Sequence, residues 1–304
     1  LYAWNPSSSS NNWVQFSTSG VPNVDYNAIT STNYNRAWAA GGSGRIIYYN
    51  GSSWTSQLNT SDTFYGIDCV TDQDCWAVAT SGNIYHYNGS AWSVFTQVNS
   101  TLTMNGISCI VDNSISAPPN PPYRCIAIGS PNATQGMIYD YTSARGTWSL
   151  VASTAYELDA ISCSAANNCW AVGGVNKASS NLINFNGSTW TEGSVPHVDA
   201  EMDAIHCLSQ NYCWAGGRKA YMYFYNGSTW TSAIAIGSNN GINNIIYAIR
   251  CINSKDCWAG GTDGQLFHYD GTSWTLYASL GNFNIRGISY PLQATNANSV
   301  WTRS

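Results

Sequence analysis

Residues 257–274 read CWAGGTDGQLFHYDGTSW, and the same phrase occurs at 75–92 as CWAVATSGNIYHYNGSAW. Each copy opens with a Cys-Trp run, continues with an alternating run that ends in Asp-Gly or Asn-Gly, and closes on a tryptophan. Asn-Gly and Asp-Gly favour a tight hairpin between paired strands, because glycine tolerates positive φ. The phrase therefore predicts consecutive antiparallel strands.

The phrase belongs to a repeat of about 44 residues, a length typical of propellers and solenoids. Each copy begins with a strand-like run in which a small residue, Ala or Gly, precedes an isoleucine. The seven isoleucines are Ile29, Ile67, Ile107, Ile161, Ile205, Ile249 and Ile288. The period-2 alternation, the β-branched residues and the turn spacing exclude a helical solenoid.

Tryptophan marks the second and fourth runs of the repeat. Of the 14 tryptophans, only Trp4 lies outside these two positions. The second run carries Trp38, Trp76, Trp170, Trp214, Trp258 and Trp301, and the fourth carries Trp13, Trp54, Trp92, Trp148, Trp190, Trp230 and Trp274. A large aromatic at a fixed place in every four-stranded unit suits twisted sheets that pack face to face.

Counting the units predicts an all-β fold: a seven-bladed β-propeller of four-stranded antiparallel blades, with residues 1–304 as one domain. The predicted blades are about 26–57, 65–95, 104–152, 157–192, 201–233, 246–277, and 285–304 together with 1–17. The last blade takes two strands from each end of the chain. Both termini thereby close the ring and cover edges that an open ring would expose.

The repeat resembles those of known β-propeller families. CWAVGG at 169–174, followed by NFNGSTW at 184–190, is similar to the kelch repeat in its order of Gly-Gly, aromatic and Trp, although its turn is shorter. The sialidase Asp-box is a second likeness, but there the Asp and Trp lie one residue further apart. The resemblance implies the architecture of a propeller and no particular activity.

The ten cysteines fall at the end of the first run and the start of the second. This placement predicts five disulfides, Cys69–Cys75, Cys109–Cys125, Cys163–Cys169, Cys207–Cys213 and Cys251–Cys257. The first copy has Ser31 and Ala37 at these positions and the last has Tyr290 and Val300, so both members are lost together. One pair per blade does not converge on a tetrahedral metal site, and no metal site is predicted. Disulfides are typical of an exported protein, extracellular or at the cell surface.

Composition excludes two classes of partner. Charged residues make up 9% of the chain, and the net charge of −5 includes only 11 Lys and Arg without a basic cluster, so nucleic acid is not expected. The sequence contains no run of about 18 apolar residues, so a membrane span is not predicted. The amino terminus has no charged leader followed by an apolar run, and we expect a mature chain whose export signal has been removed.

A catalytic set is not evident. His86 and His268 share one position of the third run with Tyr48 and Phe224, which favours a half-buried structural role. His206 follows the isoleucine of a first run, where an inter-blade or channel-facing polar role is expected. We predict no catalytic residue and no cofactor, because none of the motifs for phosphate loops, zinc proteases or calcium loops occurs.

The residue two before each isoleucine is predicted to lie at the mouth of the central channel. This position holds Asn27, Tyr65, Asn105, Asp159, Asp203, Tyr247 and Arg286. Amides and carboxylates bind hydroxyl groups and tyrosines stack on apolar ring faces, so the set suits contacts to a sugar or a peptide. The alternative is that a solvated channel mouth is simply polar.

Seven Asn-x-Ser/Thr sequons are candidate glycosylation sites in an exported chain. They are Asn50, Asn59, Asn88, Asn99, Asn132, Asn186 and Asn226. Four of them belong to Asn-Gly-Ser turns between the third and fourth runs, where turn geometry alone favours Asn-Gly.

These observations lead to three hypotheses. The first is a non-enzymatic extracellular structural or adhesive surface protein, a subunit that self-assembles into a filament or surface layer with other copies or with matrix components as partners. Low charge, which leaves little repulsion between copies, favours it. The second is a lectin-like propeller that binds carbohydrate or peptide at the channel mouth. The third is a hydrolase or lyase that acts on glycans.

Overall fold

The computed structural model describes residues 2–4, 13–15, 20–116, 121–174, 182–193, 195–196, 201–232, 234–236, 244–290 and 301–302. These residues form an all-β propeller of four-stranded antiparallel sheets. Six sheets are blades made of four strands that follow one another along the chain. One further four-stranded sheet is composite and combines strands from the two ends of the chain.

The strands are numbered in chain order. Blade 1 contains β3 (Tyr26–Asn33), β4 (Arg36–Gly41), β5 (Arg45–Tyr49) and β6 (Trp54–Asn59). Blade 2 contains β7 (Phe64–Thr71), β8 (Asp74–Ala79), β9 (Asn83–Tyr87) and β10 (Trp92–Gln97). Blade 3 contains β11 (Thr103–Val111), β12 (Tyr123–Asn132), β13 (Gln135–Thr142) and β14 (Trp148–Thr154).

Blade 4 contains β15 (Leu158–Ala165), β16 (Asn168–Gly173), β17 (Leu182–Phe185) and β18 (Trp190–Gly193). Blade 5 contains β19 (Met202–Ser209), β20 (Tyr212–Gly217), β21 (Tyr221–Tyr225) and β22 (Ile234–Ala235). Blade 6 contains β23 (Ile246–Asn253), β24 (Asp256–Gly261), β25 (Gln265–Tyr269) and β26 (Trp274–Ser279). The composite sheet contains β1 (Tyr2–Trp4), β2 (Trp13–Gln15), β27 (Ile288–Ser289) and β28 (Trp301–Thr302). Short 3-10 turns join the second and third strands at Gly42–Gly44, Thr80–Gly82 and Thr262–Gly264.

The composite sheet brings the two ends of the chain together in the order β2-β1-β28-β27. β1 pairs with β28 through Tyr2 opposite Thr302 and Ala3 opposite Trp301. On the channel side, β27 contacts the first strands of both blade 6 and blade 1. Ser289 Oγ lies 2.8 Å from Ser31 Oγ of blade 1. The composite sheet therefore lies between blades 6 and 1.

The two tryptophan positions meet across the blade interfaces. The second-strand Trp38 of blade 1 packs edge-on against the fourth-strand Trp92 of blade 2, with ring centroids 5.4 Å apart. The same T-shaped contact joins Trp76 to Trp148, Trp170 to Trp230 and Trp214 to Trp274. Edge-to-face pairs of this kind stabilise by about 0.5–1.5 kcal/mol beyond their buried area. The repeat places its aromatics where neighbouring blades need them.

A second set of contacts joins the blades along the channel. In blades 2 to 5 the residue after the first-strand isoleucine, a place here called the far position, accepts a hydrogen bond from the backbone N–H of the cysteine in the next blade. The bonds are Cys109 N–H to Asp68 Oδ2 (2.8 Å), Cys163 N–H to Ser108 Oγ (3.1 Å), Cys207 N–H to Ser162 Oγ (3.0 Å) and Cys251 N–H to His206 Nδ1 (3.2 Å). His206 therefore has the inter-blade role that the sequence predicted.

All five predicted disulfides are present. In each blade that carries one, the two cysteines lie directly opposite each other on the first and second strands. Each disulfide therefore closes a hairpin within one blade. In the described part of the chain, no helix is long and apolar enough to cross a membrane.

Blade 5 differs from its neighbours at its fourth strand. The sequence predicts this strand around Trp230, but Trp230 forms only an isolated bridge with Tyr225. Thr231 binds Phe224 through both its backbone N–H and its side-chain oxygen, and the ladder to the third strand is formed later, by Ile234–Ala235. The outer edge of this blade is therefore more irregular than the pattern of tryptophans suggests.

Candidate functional site

The seven residues predicted for the channel mouth line a single cavity of about 200 Å³. The cavity is also lined by the small residue and the isoleucine that follow each of them. The first strands approach one another closely here, and a Cβ added to Gly287 would lie 2.9 Å from Ile29 Cγ2. Close packing therefore favours a small residue before the isoleucine, and the polar residue that precedes it lines the mouth.

Two of the seven residues are occupied by contacts between blades. Asn27 Nδ2 donates a hydrogen bond to the carbonyl oxygen of Phe64 at 2.9 Å, and Asn105 Nδ2 donates to that of Leu158 at 2.8 Å. Each asparagine belongs to one blade and each acceptor to the next. These amides hold blade 1 to blade 2 and blade 3 to blade 4, so their first role is structural.

The aspartates of blades 4 and 5 lie at the mouth among further carboxyl groups. Asp159 interacts electrostatically with Glu157 and Asp203, and Asp203 interacts with Glu201. Arg218 Nε lies 2.8 Å from Glu201 Oε2 and offsets part of this negative charge. Asp203 Oδ2 is buried and has no hydrogen-bond partner within the described residues. One side of the mouth is therefore acidic and incompletely paired.

Burial and crowding raise the pKa of both aspartates. Burial is the main cause for Asp159, whose pKa is raised to about 8, and Glu157 and Asp203 raise it further. Burial also raises the pKa of Asp203 to about 7, with a further contribution from Glu201 that Arg218 opposes. Desolvation and like charge both disfavour the ionised form. Near neutral pH the two groups hold protons that an incoming cation would displace.

The remaining mouth residues are aromatic and basic. Tyr65 of blade 2 is 39% exposed and presents its ring to solvent. The Arg286 guanidinium lies over the ring of Tyr247, with its carbon 4.8 Å from the centroid, which is the geometry of a cation–π contact. The mouth thus combines an acidic side, on blades 4 and 5, with aromatic surface on blades 2 and 6.

Sequence reasoning missed Glu157, Glu201 and Arg218 as neighbours of the mouth. A signal for the first two was present, because blades 4 and 5 share the pattern Glu-x-Asp at 157–159 and 201–203. The two glutamates come just before the first strands, which begin at Leu158 and Met202. Arg218 carries no repeat signature, and only the fold brings it next to Glu201.

The histidines of the third strands have the structural role that the sequence predicted. His86 Nε2 lies 2.8 Å from Asp74 Oδ1 and its ring packs on Trp76, with centroids 4.2 Å apart. His268 repeats the arrangement in blade 6 with Asp256 (2.9 Å) and Trp258 (4.4 Å). Within the described residues there is also no group of three His, Cys, Asp or Glu suited to a metal ion.

The candidate glycosylation sites are all at the surface. The seven sequon asparagines are exposed: Asn50, Asn59, Asn88, Asn99, Asn132, Asn186 and Asn226. In the four Asn-Gly-Ser turns the asparagine Oδ1 accepts backbone N–H groups two and three residues later, and Asp270 does the same in blade 6. The following glycines have φ between 89° and 98°. These four asparagines therefore stabilise their turns whether or not they carry glycans.

Comparisons with known proteins identify the fold. A scan against protein-family models finds no match, and a search of curated proteins finds none either. Solved structures match over most of the chain. YCF48 from Cyanidioschyzon merolae is 15% identical, with a TM-score of 0.63, and the match covers 90% of this chain and 93% of that one. YCF48 bound to D1 peptide is 14% identical, with a TM-score of 0.60 and coverage of 82% and 79%.

Other solved structures match to a similar degree. U3-55K is 10% identical, with a TM-score of 0.68 and coverage of 92% of this chain and 95% of the other. The WD40 β-propeller domain of Doa1 is also 10% identical, with a TM-score of 0.65 and coverage of 93% and 94%. At such low identity the similarity shows the β-propeller architecture alone. A specific relation to kelch repeats, which the sequence suggested, does not emerge from these comparisons.

Proposed function

We propose that the protein is a non-catalytic scaffold that binds a segment of a partner protein across the channel mouth, with a basic group of that segment against the carboxyl groups of blades 4 and 5. The observation that carries this proposal is the convergence of Asp159 and Asp203 on one cavity, beside Glu157 and Glu201. Carboxyl groups held close together with too little positive charge around them are favourable partners for an ammonium or guanidinium group.

The rest of the mouth fits a peptide. The exposed ring of Tyr65 offers apolar surface to a side chain, and Arg286 over Tyr247 offers donors to main-chain carbonyl groups. A structural neighbour of this chain is described as bound to a peptide, and WD40 propellers are also among its neighbours. These similarities support a binding scaffold over an enzyme.

The test is a direct binding measurement. A fluorescein-labelled Ala-Lys-Ala-Lys-Ala peptide is titrated with the protein at pH 8 and followed by anisotropy, beside the same peptide with Glu in place of Lys. We expect the lysine peptide to bind at least about tenfold more tightly than the glutamate peptide. Asp159→Asn/Asp203→Asn should remove most of this preference. Affinity for the lysine peptide should fall below pH 7, because protonated aspartates no longer attract a cation.

The matched control changes the same charge on the opposite face. Asp72→Asn/Asp270→Asn removes two negative charges from turns far from the mouth, and asparagine already occupies the equivalent of Asp270 in blades 1, 2, 4 and 5. This variant should bind like the parent. Equal weakening by both double variants would reduce the effect to net charge, and the absence of any preference for lysine would overturn the proposal. A carbohydrate ligand in place of a peptide would be identified on a glycan array.

Self-assembly is a second candidate function, favoured by apolar side chains on the outermost strands. Val94 of blade 2, Leu150 of blade 3 and Leu276 of blade 6 are 53%, 54% and 47% exposed. Exposed apolar residues on edge strands promote pairing between copies. A protein that remains monomeric in light scattering at high concentration would contradict assembly, and a change of state on Val94→Ser/Leu150→Ser would support it.

Two further parts of the proposal concern the closure of the ring and the location of the protein. The composite sheet would act as the seventh blade and close the ring, because β27 contacts β23 and β3 on either side.

Five disulfides are compatible with an oxidising environment, which favours an extracellular or cell-surface location. Glycans on the exposed sequons would be consistent with this location, and intact mass measurement of the native protein before and after enzymatic deglycosylation tests it.

A further inference from the structure

The channel contains a second cavity, of about 490 Å³, on the other side of the isoleucines. Residues 65–67 of blade 2 line the mouth cavity, and the next residues, Asp68 and Cys69, line this one. Leu208 and Asn253, at its outer rim, are exposed, so the cavity opens on the face that carries the disulfides. We call it the far cavity. Its volume lies in the range of about 300–1,000 Å³ that is typical of small-molecule pockets.

The hydrogen bonds between blades determine which polar atoms remain available in the far cavity. Ser108 and Ser162 each use a lone pair to accept the N–H of the next blade's cysteine. A hydroxyl oxygen that accepts in this way keeps its O–H to donate. No acceptor for either hydroxyl hydrogen is found among the described residues. Both serines line the cavity and retain a free donor.

The hydrogen bond between blades also determines the tautomer of His206. Its Nδ1 accepts the N–H of Cys251 at 3.2 Å, so Nδ1 carries no proton. In a neutral imidazole the proton then resides on Nε2. Burial, with Arg250 nearby, lowers the pKa of His206 well below its ordinary value, which keeps the ring neutral at pH 7. The neutral ring presents an N–H donor.

Arg250 adds a positive charge beside these donors. One of its terminal nitrogens donates to the carbonyl oxygen of Tyr290 at 3.2 Å, whereas its buried Nε has no partner within the described residues. Ser162, His206 and Arg250 come from blades 4, 5 and 6 and line one wall of the far cavity. Three consecutive blades thus present a hydroxyl, an imidazole N–H and a guanidinium.

The acid of this cavity, Asp68, interacts electrostatically with Arg250, but no direct ion pair joins the two. Asp68 belongs to blade 2, across the channel from blade 6. Its Oδ1 accepts the N–H of Cys69 and the hydroxyl of Thr30, and its Oδ2 accepts the N–H of Cys109. Both oxygens are therefore occupied by the protein. These hydrogen bonds hold the carboxyl group in blade 2, and burial raises the pKa of Asp68, which favours its neutral form.

From this arrangement we propose that the far cavity binds an oxyanion, a phosphate or carboxylate group, on Arg250, His206 and Ser162. Several donors and one guanidinium facing a partly enclosed space are the recurring composition of oxyanion sites. The site is independent of the peptide proposed at the mouth, since the isoleucines lie between the two cavities. The cavity is larger than an inorganic ion, so the oxyanion would be the head group of a small molecule.

The experiment measures thermal stability and histidine NMR signals of the intact protein at pH 7. Sodium phosphate and sodium acetate are titrated separately against sodium chloride at matched ionic strength, so that free phosphate and carboxylate are distinguished. We expect a saturable rise in melting temperature with at least one of the two anions, because binding to the native state alone stabilises it. The His206 ring signals should shift over the same concentration range.

Two variants and one control decide where the anion binds. Arg250→Gln should weaken binding at least about tenfold and Ser162→Ala about threefold, by loss of a charged and a neutral hydrogen bond. Arg286→Gln, which removes an arginine from the mouth cavity, should leave binding within about twofold of the parent. If Arg250→Gln does not fold, the site is tested by the affinity of Ser162→Ala and by the shifts of the His206 ring signals in the parent. The proposal is overturned by a parent that responds to neither anion beyond chloride, or by anion binding that Arg286→Gln weakens and the far-cavity variants do not.

Discussion

The two ends of the channel are built from neighbouring positions of the same strands but are used differently. At the far position, Asp68 and Ser162 have their acceptor oxygens committed to backbone N–H groups of the next blade. At the mouth, Asn27 and Asn105 make comparable ties, whereas Asp203 keeps a buried oxygen without a partner among the described residues. Polar residues at the far end stabilise the fold, whereas those on the acidic side of the mouth contribute least to its stability.

The difference shows how a repeat acquires a site without changing its fold. The isoleucine and the small residue before it are shared by all copies, whereas the polar residues that flank them differ from copy to copy. Where a varied residue finds a backbone partner it stabilises the ring. Where it faces like charge, as Asp159 does beside Glu157, the local free energy rises and a ligand can lower it. Polar residues that cost stability are the better candidates for function.

The largest effect should come from the disulfides, whose first-strand cysteines all border the far cavity. Replacing Cys109 and Cys125 by Ala should lower the free energy of unfolding by about 3 kcal/mol, and replacing Cys163 and Cys169 by about 2, since the closed loops differ in length. The sequence separations are 16 and 6 residues. Urea unfolding measures both values. Unchanged stability in both variants would contradict a stabilising role for the far end.

A smaller loss is expected from the far position itself. Asp68→Ala removes the acceptor of two backbone N–H groups and of the Thr30 hydroxyl, and should lower the free energy of unfolding by about 2 kcal/mol. Asp203→Ala is the matched change at the mouth and should leave stability the same or higher, because it relieves like charge. The same urea experiment compares them. An equal loss in the two variants would erase the distinction between the ends.

The last prediction concerns the pH dependence of stability at the mouth. The pKa values of Asp159 and Asp203 are raised from 3.8 to about 8 and about 7, so the native state binds more protons than the unfolded chain between pH 4 and 8. Their contribution to stability is complete below about pH 4 and is lost progressively as the pH rises toward 7 for Asp203 and 8 for Asp159. Asp159→Asn/Asp203→Asn should be equal in stability to the parent near pH 4 and increasingly more stable than it as the pH rises to 8. Melting curves across this range check the sign, and a parent that gains stability relative to the variant as the pH rises would refute it.

Most of the architecture could be predicted from the sequence because it depends on local signals that recur. The Asn-Gly turns fix the third-to-fourth hairpin, and the cysteines opposite each other on paired strands are lost together where Ser31 and Ala37 replace them. The mouth position followed from counting two residues back from each isoleucine, and all seven residues line the same cavity. Their use by a ligand remains a proposal.

The balance of charge at the mouth could not be read from the repeat. Whether Asn105 is free or tied to the Leu158 carbonyl depends on the distance between two blades, which no single copy encodes. The raised pKa of Asp159 depends on burial and on three carboxyl groups from two blades. The donor wall of the far cavity was missed for a related reason, because the free proton of His206 is known only once Nδ1 is seen to accept the Cys251 N–H.

Every disulfide joins two strands of the same blade, and none spans two blades. Covalent reinforcement is therefore modular, and a gene duplication that adds a repeat adds its own cross-link without disturbing existing pairs. Oxidative folding is simplified as well, because correct partners are near neighbours along the chain in four of the five cases. The number of repeats can change in such a scaffold while each unit still oxidises independently.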